Sequence, residues 1–477
     1  MLSIHGRRHS TCEGISRREV LAAGGAGLLG LSAPKLLAAE QAAGPFSGGR
    51  AKSVIFLFLF GGPSQLETFD MKPEAPSEIR GPFLPIASRS PGLLISEHLP
   101  RLADASDKYC VVRTMTHPAN DHSGGGHYIQ TGRRWQIPTG GGHNATPNDW
   151  PSMGSVVEYL SQQSPEGLQR DMPSYAVTPN SLGRIQMQGP YQRPGEYAGW
   201  LGRAYNPLTT TIDRRDKTDN PYWRDCTDDE LNFQLEGLAP NVSLDVMRRR
   251  TSLLEQFEAQ RRGLTASQGQ VYDRFRQRCM ALVTSDNTRR ALDIRLEKPG
   301  LRDRYGRHLF GQSCLMARRM VEAGVRFVTV HYDCVDGYSW DSHRNSDDVK
   351  KRLLPTFDQA CSALLADLDD RGLLDETLVV AMGEMGRTPK ANSTWGRGHW
   401  STSFPALLAG AGIAGGAVFG RSDRHAAHPD RNPVSPEDLS ATIYHALGVD
   451  PYLTLPDKLG RPIPINQGGR PLKQLFS

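Results

Sequence analysis

The chain is poor in cysteine, with 7 in 477 residues, and no two of them form a Cys-x-x-Cys pair. That excludes a cluster of thiolate zinc ligands and a thioredoxin-like redox motif. A disulfide-dense scaffold is excluded too, because a chain of this length can bury a large core without staples. Aromatic residues are few, at 8%, and no basic block carries them interleaved. The net charge of +5 is spread along the chain with both signs mixed. Nucleic acid is therefore not an expected partner. Beyond residue 40 no apolar run is long enough to span a membrane, and no fixed period marks an internal repeat.

Glycine and proline are abundant instead, at 49 and 33 residues, and the mean hydropathy is −0.47. This indicates a soluble protein with much loop. The N-terminus has its own composition. Arg7, Arg8, Arg17 and Arg18 precede a Gly/Ala/Leu run from Val20 to Leu37. Ser16-Arg17-Arg18-Glu19-Val20-Leu21 has the form of a twin-arginine export signal. We expect a signal peptide over 1–39, a linker over 40–50 and one domain over 51–477. The Tat export machinery is then a partner, and the protein works in the periplasm or outside the cell. Loss of the leader removes Cys12. Of the remaining cysteines, Cys110, Cys314 and Cys361 sit in apolar patterns that suit buried thiols.

The rest of the chain alternates strand and helix signals. Ser53–Phe60, Tyr109–Thr114, Ser174–Thr178, Val325–Val330, Leu378–Met382 and Phe404–Ala409 are apolar runs of strand length. Helical spacing marks Leu99–Lys108, Met153–Gln162, Gln312–Glu322, Val349–Asp369 and Pro436–Leu447. Strands apolar throughout, alternating with helices, predict an α/β fold with a largely parallel sheet covered on both faces. An irregular and helical insertion is expected over about 183–300, including two helices between Ser243 and Arg289 that break near Gly263.

Polar clusters follow these strands directly. In open α/β sheets, ligands bind beyond the carboxyl ends of the strands. Glu67 and Asp70 follow the first strand as candidate ligands, Asp70 for metal, with helix or turn capping as an equal reading for them. His117, Asn120, Asp121, His122, Ser123 and His127 follow the second, around a glycine triplet that lets backbone approach a ligand. His331, Asp333, Asp336, Trp340, Asp341 and His343 follow Val330. Glu384, Arg387, Arg397 and His399 follow Met382. Carboxylates mixed with imidazoles suit a divalent metal, zinc first, with calcium, magnesium or manganese as alternatives. Such a metal activates water or polarises an anionic ester. Arg387 or Arg397 would hold the anion's oxygens.

Four stretches together carry a resemblance: Thr377-Leu-Val-Val-Ala-Met-Gly-Glu-Met-Gly-Arg-Thr-Pro, Gly-Arg-Gly-His-Trp at 396–400, Trp-Asp-Ser-His at 340–343, and Ala-Arg-Arg-Met-Val-Glu-Ala-Gly-Val-Arg-Phe-Val at 317–328. They resemble a bacterial domain-of-unknown-function family of twin-arginine-exported, sulfatase-like proteins in the alkaline phosphatase superfamily. The resemblance spans nearly the whole mature chain. It implies an alkaline-phosphatase-like three-layer α/β/α core. It also implies metal ligands at Asp341, His343, Glu384 and His399, with Asp70 nearby, and catalytic roles for His122, Ser123 and Arg387.

The superfamily pattern carries over in part. Glu384-Met385 stands where an Asp-His pair is usual, and Gly61-Gly62 where carboxylates are usual. Gly398 replaces an aspartate. The position of the nucleophile falls on His122, with Ser123 beside it. No Cys-x-Pro-Ser-Arg stretch exists, which removes the formylglycine mechanism. The implied activity is hydrolysis of phosphate or sulfate esters, on a small anionic ester or a sulfated or phosphorylated glycan. The alternative is a non-catalytic exported binding or assembly protein on the same fold.

Overall fold

The computed structural model describes residues 46, 48–135, 143–164, 167, 170–179, 192–212, 219–235, 285–333 and 339–477. The expected export signal, residues 243–284 of the helical segment expected over 243–289, parts of the irregular 183–219 segment, Asp336, and Cys279 and Cys334 lie outside the described residues.

The apolar runs assemble one nine-stranded sheet. Its strands are β1 (Ser53–Phe58), β2 (Tyr109–Met115), β3 (Tyr175–Thr178), β4 (Leu208–Thr211), β5 (Gln234–Leu235), β6 (Phe327–His331) and β7 (Thr377–Met382). After a two-stranded ribbon of β8 (Gly386–Arg387) and β9 (His399–Trp400) come β10 (Phe404–Ala409) and β11 (Val418–Phe419). The order is β11-β2-β10-β7-β1-β6-β3-β4-β5. β1 lies between β6 and β7, parallel to both, with Phe58 opposite His331 on one side and Met382 on the other. β3 continues the parallel set beside β6.

One strand inside the set is reversed. β10 runs antiparallel to both β7 and β2. Two reversals in succession return β2 to the direction of β1. The carboxyl ends of β1, β2, β6 and β7 therefore share an edge with the amino end of β10. The periodicity of an apolar run does not encode this direction, and the reversal decides where His399 arrives.

Side chains alternate across β1. Ile55 and Leu57 enter a core with α3 (Leu309–Glu322) and α4 (Leu354–Asp370). On the other face Phe56 and Phe58 pack ring to ring. That face also carries α1 (His122–Thr131) and α2 (Met153–Ser161), and α5 (Pro436–Ala446) packs on α1. This is an α/β fold with helices on both faces of a mostly parallel sheet.

The ends of these elements have local causes. α5 starts with a capping box between Ser435 and Asp438, which satisfies exposed first-turn N–H groups. α3 begins three residues before the expected Gln312, because the His308 ring accepts the Gly311 N–H at 3.1 Å. The expected helix over 99–108 is interrupted: Pro100–Asp104 is helical, and a separate 3-10 turn covers Ser106–Lys108. Cys110, Cys314 and Cys361 are buried free thiols, as expected. No helix among the described residues is long and apolar enough to cross a membrane.

Candidate metal centre

The sequence marks no helix at α1, where three consecutive glycines lower helix stability by about 1 kcal/mol each. It is a helix nonetheless. Asp121 caps it, accepting the Gly124 N–H at 2.8 Å. The glycines are there because the helix approaches other chain closely. A Cβ on Gly125 would lie 3.3 Å from the Glu384 carbonyl oxygen, and one on Gly126 would touch the rings of Phe60 and Phe58. This approach sets His122, the first helical residue, against the end of β7.

Glu384 is fully buried and its charge is held by donors. The Gly61 N–H lies 3.0 and 3.1 Å from its two oxygens, and His122 Nδ1 lies 2.5 Å from Oε1. Gly61 has a φ of +111°, and a Cβ there would come within 2.5 Å of the Asp341 nitrogen. Gly61 thus supplies an amide to Glu384.

The opposite nitrogen of His122 faces a second carboxylate. Nε2 lies 3.3 Å from Asp341 Oδ1. His399 Nε2 is 3.2 Å from the same oxygen and His343 Nε2 is 3.0 Å from it. The two Nε2 atoms of His343 and His399 are 3.0 Å apart. Arg387 Nη2 reaches Asp341 Oδ1 at 2.6 Å. Ligand atoms of His122, Asp341 and His399 all fall within 4.8 Å of one another.

The far sides of both imidazoles are anchored. His399 Nδ1 donates to the Asn120 carbonyl at 3.2 Å, while the Asn120 side chain bonds Ser401 N and the His399 carbonyl. His122 Nδ1 is held by Glu384. Each ring therefore turns Nε2 toward Asp341, and the buried His122 Nε2 faces the Asp341 carboxylate at 3.3 Å. Metal-ligating histidines are oriented by such outer carboxylates and carbonyls. The donor set fits a divalent cation held by His122, Asp341 and His399, with His343 on the exposed side.

Without a cation the same groups neutralise one another. Burial lowers the His122 pKa, but hydrogen bonds to Asp341 and Glu384 outweigh it and push the ring up to about 9. Burial alone would raise Asp341; bonds from His122 and His399 and the charge of Arg387 hold it well below the carboxylate range. His117 is buried and neutral, down to about 4, with its ring on the Glu384 carbonyl at 2.7 Å.

Not every expected residue joins this cluster. Asp70 is corrected: its buried carboxylate pairs with Lys72 at 2.9 Å and Arg113 at 3.5 Å and takes the Ser422 hydroxyl. Glu67 pairs instead with Arg397 at 2.9 Å. Arg397 also donates to the carbonyls of Thr388, Pro389 and Ile79, so it clasps the loop and does not face the site. Glu384 sits behind His122, not among the atoms around Asp341 Oδ1. Ser123 is buried and lines a shallow recess with His122, Phe60 and Arg193. The sequence marks Asn120 and His117 only as members of a polar cluster; their supporting roles depend on backbone groups of His399, Ser401 and Glu384 that are remote in sequence.

Fold and site define an α/β protein with a His/Asp/His cluster at the carboxyl edge of its sheet. The family model described as "Protein of unknown function (DUF1501)" matches residues 51–476, and the chain belongs to that family. No curated protein matches the sequence. Among solved structures, the chain is similar to the PsFucS1 sulfatase from Pseudoalteromonas sp., at 13% identity and a TM-score of 0.36, covering 87% of this chain and 70% of that one. It is also similar to the phosphonate monoester hydrolase SpPMH from Silicibacter pomeroyi, at 11% identity and a TM-score of 0.33, covering 90% and 76%. The lipoteichoic acid synthase LtaP from Listeria monocytogenes follows at 10% and 0.32, covering 88% and 75%.

Proposed function

We propose that this protein is an exported, metal-dependent hydrolase of phosphate or sulfate esters with an alkaline-phosphatase-like core. One observation carries the reading: two imidazoles anchored through Nδ1 both turn Nε2 toward the Asp341 carboxylate. Imidazole with carboxylate suits zinc before calcium, magnesium or manganese. When bound, the cation would polarise the ester and lower the pKa of a water. The export part rests on Arg17, Arg18 and the Gly/Ala/Leu run behind them.

The chain's own residues have these parts. His122, Asp341 and His399 hold the cation, with His343 completing the set from the exposed side. Charge favours an anionic substrate. Asp341 and Glu384 balance Arg387 and the His122 imidazolium; exchange of the His122 proton for a divalent cation leaves the site positive. The His122 ring also stands at the amino end of α1, where the helix dipole favours an anion. Arg387 is fixed by the Gly62 carbonyl on Nε at 3.0 Å and by Gln65 on its backbone. It holds an oxygen of the ester while its Nη2 steadies Asp341. Ser123, in the first turn of α1 beside His122, is the candidate nucleophile, with His122 as the alternative.

A second reading has its own support. Arg387 already satisfies Asp341 at 2.6 Å, which suits a protein that kept the fold as a non-catalytic binding module. Metal analysis of protein purified without chelators, with aryl phosphate and aryl sulfate assays, separates the two. The hydrolase reading expects stoichiometric metal and turnover, both lost in His399→Ala. A folded wild-type protein that holds no metal and turns over neither ester sinks it.

A further inference from the structure

Trp395 differs from the other exposed apolar side chains. Single surface residues such as Tyr452 and Leu459 are ordinary. Trp395 is 36% exposed and has a φ of +67°, a left-handed backbone that costs a residue with a Cβ about 1 kcal/mol or more. Its indole stacks on no other ring or cation among the described residues.

The loop that carries it is tied to the metal-centre segment. Asn392 Nδ2 donates to the His343 carbonyl at 2.9 Å, and Thr394 Oγ1 to the Arg344 carbonyl at 2.5 Å. Asn345 and Trp395 form an antiparallel bridge. Gly396 lies so close to the His343 carbonyl oxygen that a Cβ would stand 2.0 Å from it. The chain then runs through Arg397 to His399. Trp395 is thereby fixed at the rim of the cluster, one loop away from His343. Two exposed cations accompany it, Arg344 and Lys390, and neither forms an ion pair among the described residues.

We propose that the Trp395 loop is a sugar-binding subsite for an anionic glycan. The indole face stacks on a pyranose ring, whose C–H groups meet the negative face of the aromatic system. Arg344 and Lys390 take sulfate or phosphate groups on that ring or its neighbour. The inference rests on the ester-hydrolase reading, of which it names the substrate class.

The test is equilibrium binding of dextran sulfate to the purified full chain, with polyphosphate as a polyanion without sugar. Trp395→Gly removes the indole and relaxes the positive φ, so the loop keeps its shape. Dextran sulfate affinity is expected to fall at least tenfold, about 1.4 kcal/mol, with polyphosphate binding unchanged and the melting temperature equal or higher. The double variant Arg344→Gln/Lys390→Gln is expected to weaken both ligands. Unchanged dextran sulfate affinity in Trp395→Gly overturns the subsite, as does a wild-type protein that binds none. An equal loss for both ligands with a lowered melting temperature assigns the indole a structural role and overturns it too. Because binding is read without turnover, an inert, metal-free protein that passes this test removes the hydrolase reading and leaves the subsite standing.

Discussion

Glu384 shows how far one buried charge organises the site. Its two oxygens take the Gly61 amide and His122 Nδ1, so it decides which nitrogen of His122 faces Asp341. Glu384→Gln keeps the shape and the acceptor for Gly61. The amide NH₂ then faces His122 Nδ1, which must become an acceptor and move its proton to Nε2. A protonated Nε2 has no lone pair to offer a cation. We expect a folded variant whose metal affinity drops about 10- to 100-fold, read by competition with a chromophoric chelator. Undiminished affinity would show that Glu384 does not set the tautomer. At this scale the sequence was legible by residue type and not by role. Glu67, Asp70 and Glu384 all follow strands, yet Arg397 takes the first, Lys72 and Arg113 the second, and His122 the third. Lys72 apart, each partner is remote in sequence, and composition carries no trace of it.

Among the elements, the strands were the most legible, because a continuous apolar run of this length between glycines has few other uses. The reversal of β10 and the helicity of α1 were not. Both depend on what lies alongside. The glycine triplet makes α1 testable, since its three positions face different neighbours. A Cβ on Gly126 would meet Phe60 and Phe58 at 3.7 and 3.8 Å, ordinary contact distances. Gly126→Ala is therefore expected to gain helix propensity and stabilise the protein by about 0.5–1 kcal/mol. At Gly125 the Cβ already stands 3.3 Å from the Glu384 carbonyl and 3.4 Å from its Cγ. Gly125→Leu must push α1 off the end of β7, with a cost of about 1–3 kcal/mol from overpacking and a displaced His122. Thermal melting of the two variants checks the contrast. Equal melting temperatures would mean that α1 does not rest on Glu384 as described.

For the molecule as a whole, the protonation of these groups sets how stability depends on pH. His122 has its pKa raised from 6.5 to about 9 by the two carboxylates, against the effect of burial. Its contribution is complete below pH 6.5 and is lost as pH rises through 9, a change of at most about 3 kcal/mol. Asp341 is depressed, so its share is present above the normal aspartate range and is lost only in acid. It is the same contact seen from the other side and is not counted twice. His117, His127 and His308 act in the opposite sense. Burial holds each neutral, down to about 4, so the unfolded chain binds more protons and stability falls as pH drops below 6.5. Metal-free protein should therefore be most stable near pH 6.5 and lose melting temperature on both sides. A bound cation replaces the His122 proton, which cancels the alkaline loss. The difference in melting temperature between metal-loaded and chelated protein should widen steadily from pH 6.5 to 9. Glu384→Gln, lacking one of the two carboxylates that hold the imidazolium, should flatten the alkaline limb of the chelated protein. A chelated wild-type protein whose melting temperature is constant over that range would show that His122 is not held as a cation between Asp341 and Glu384. The charge exchange on which the anion-attracting site rests would then fall with it.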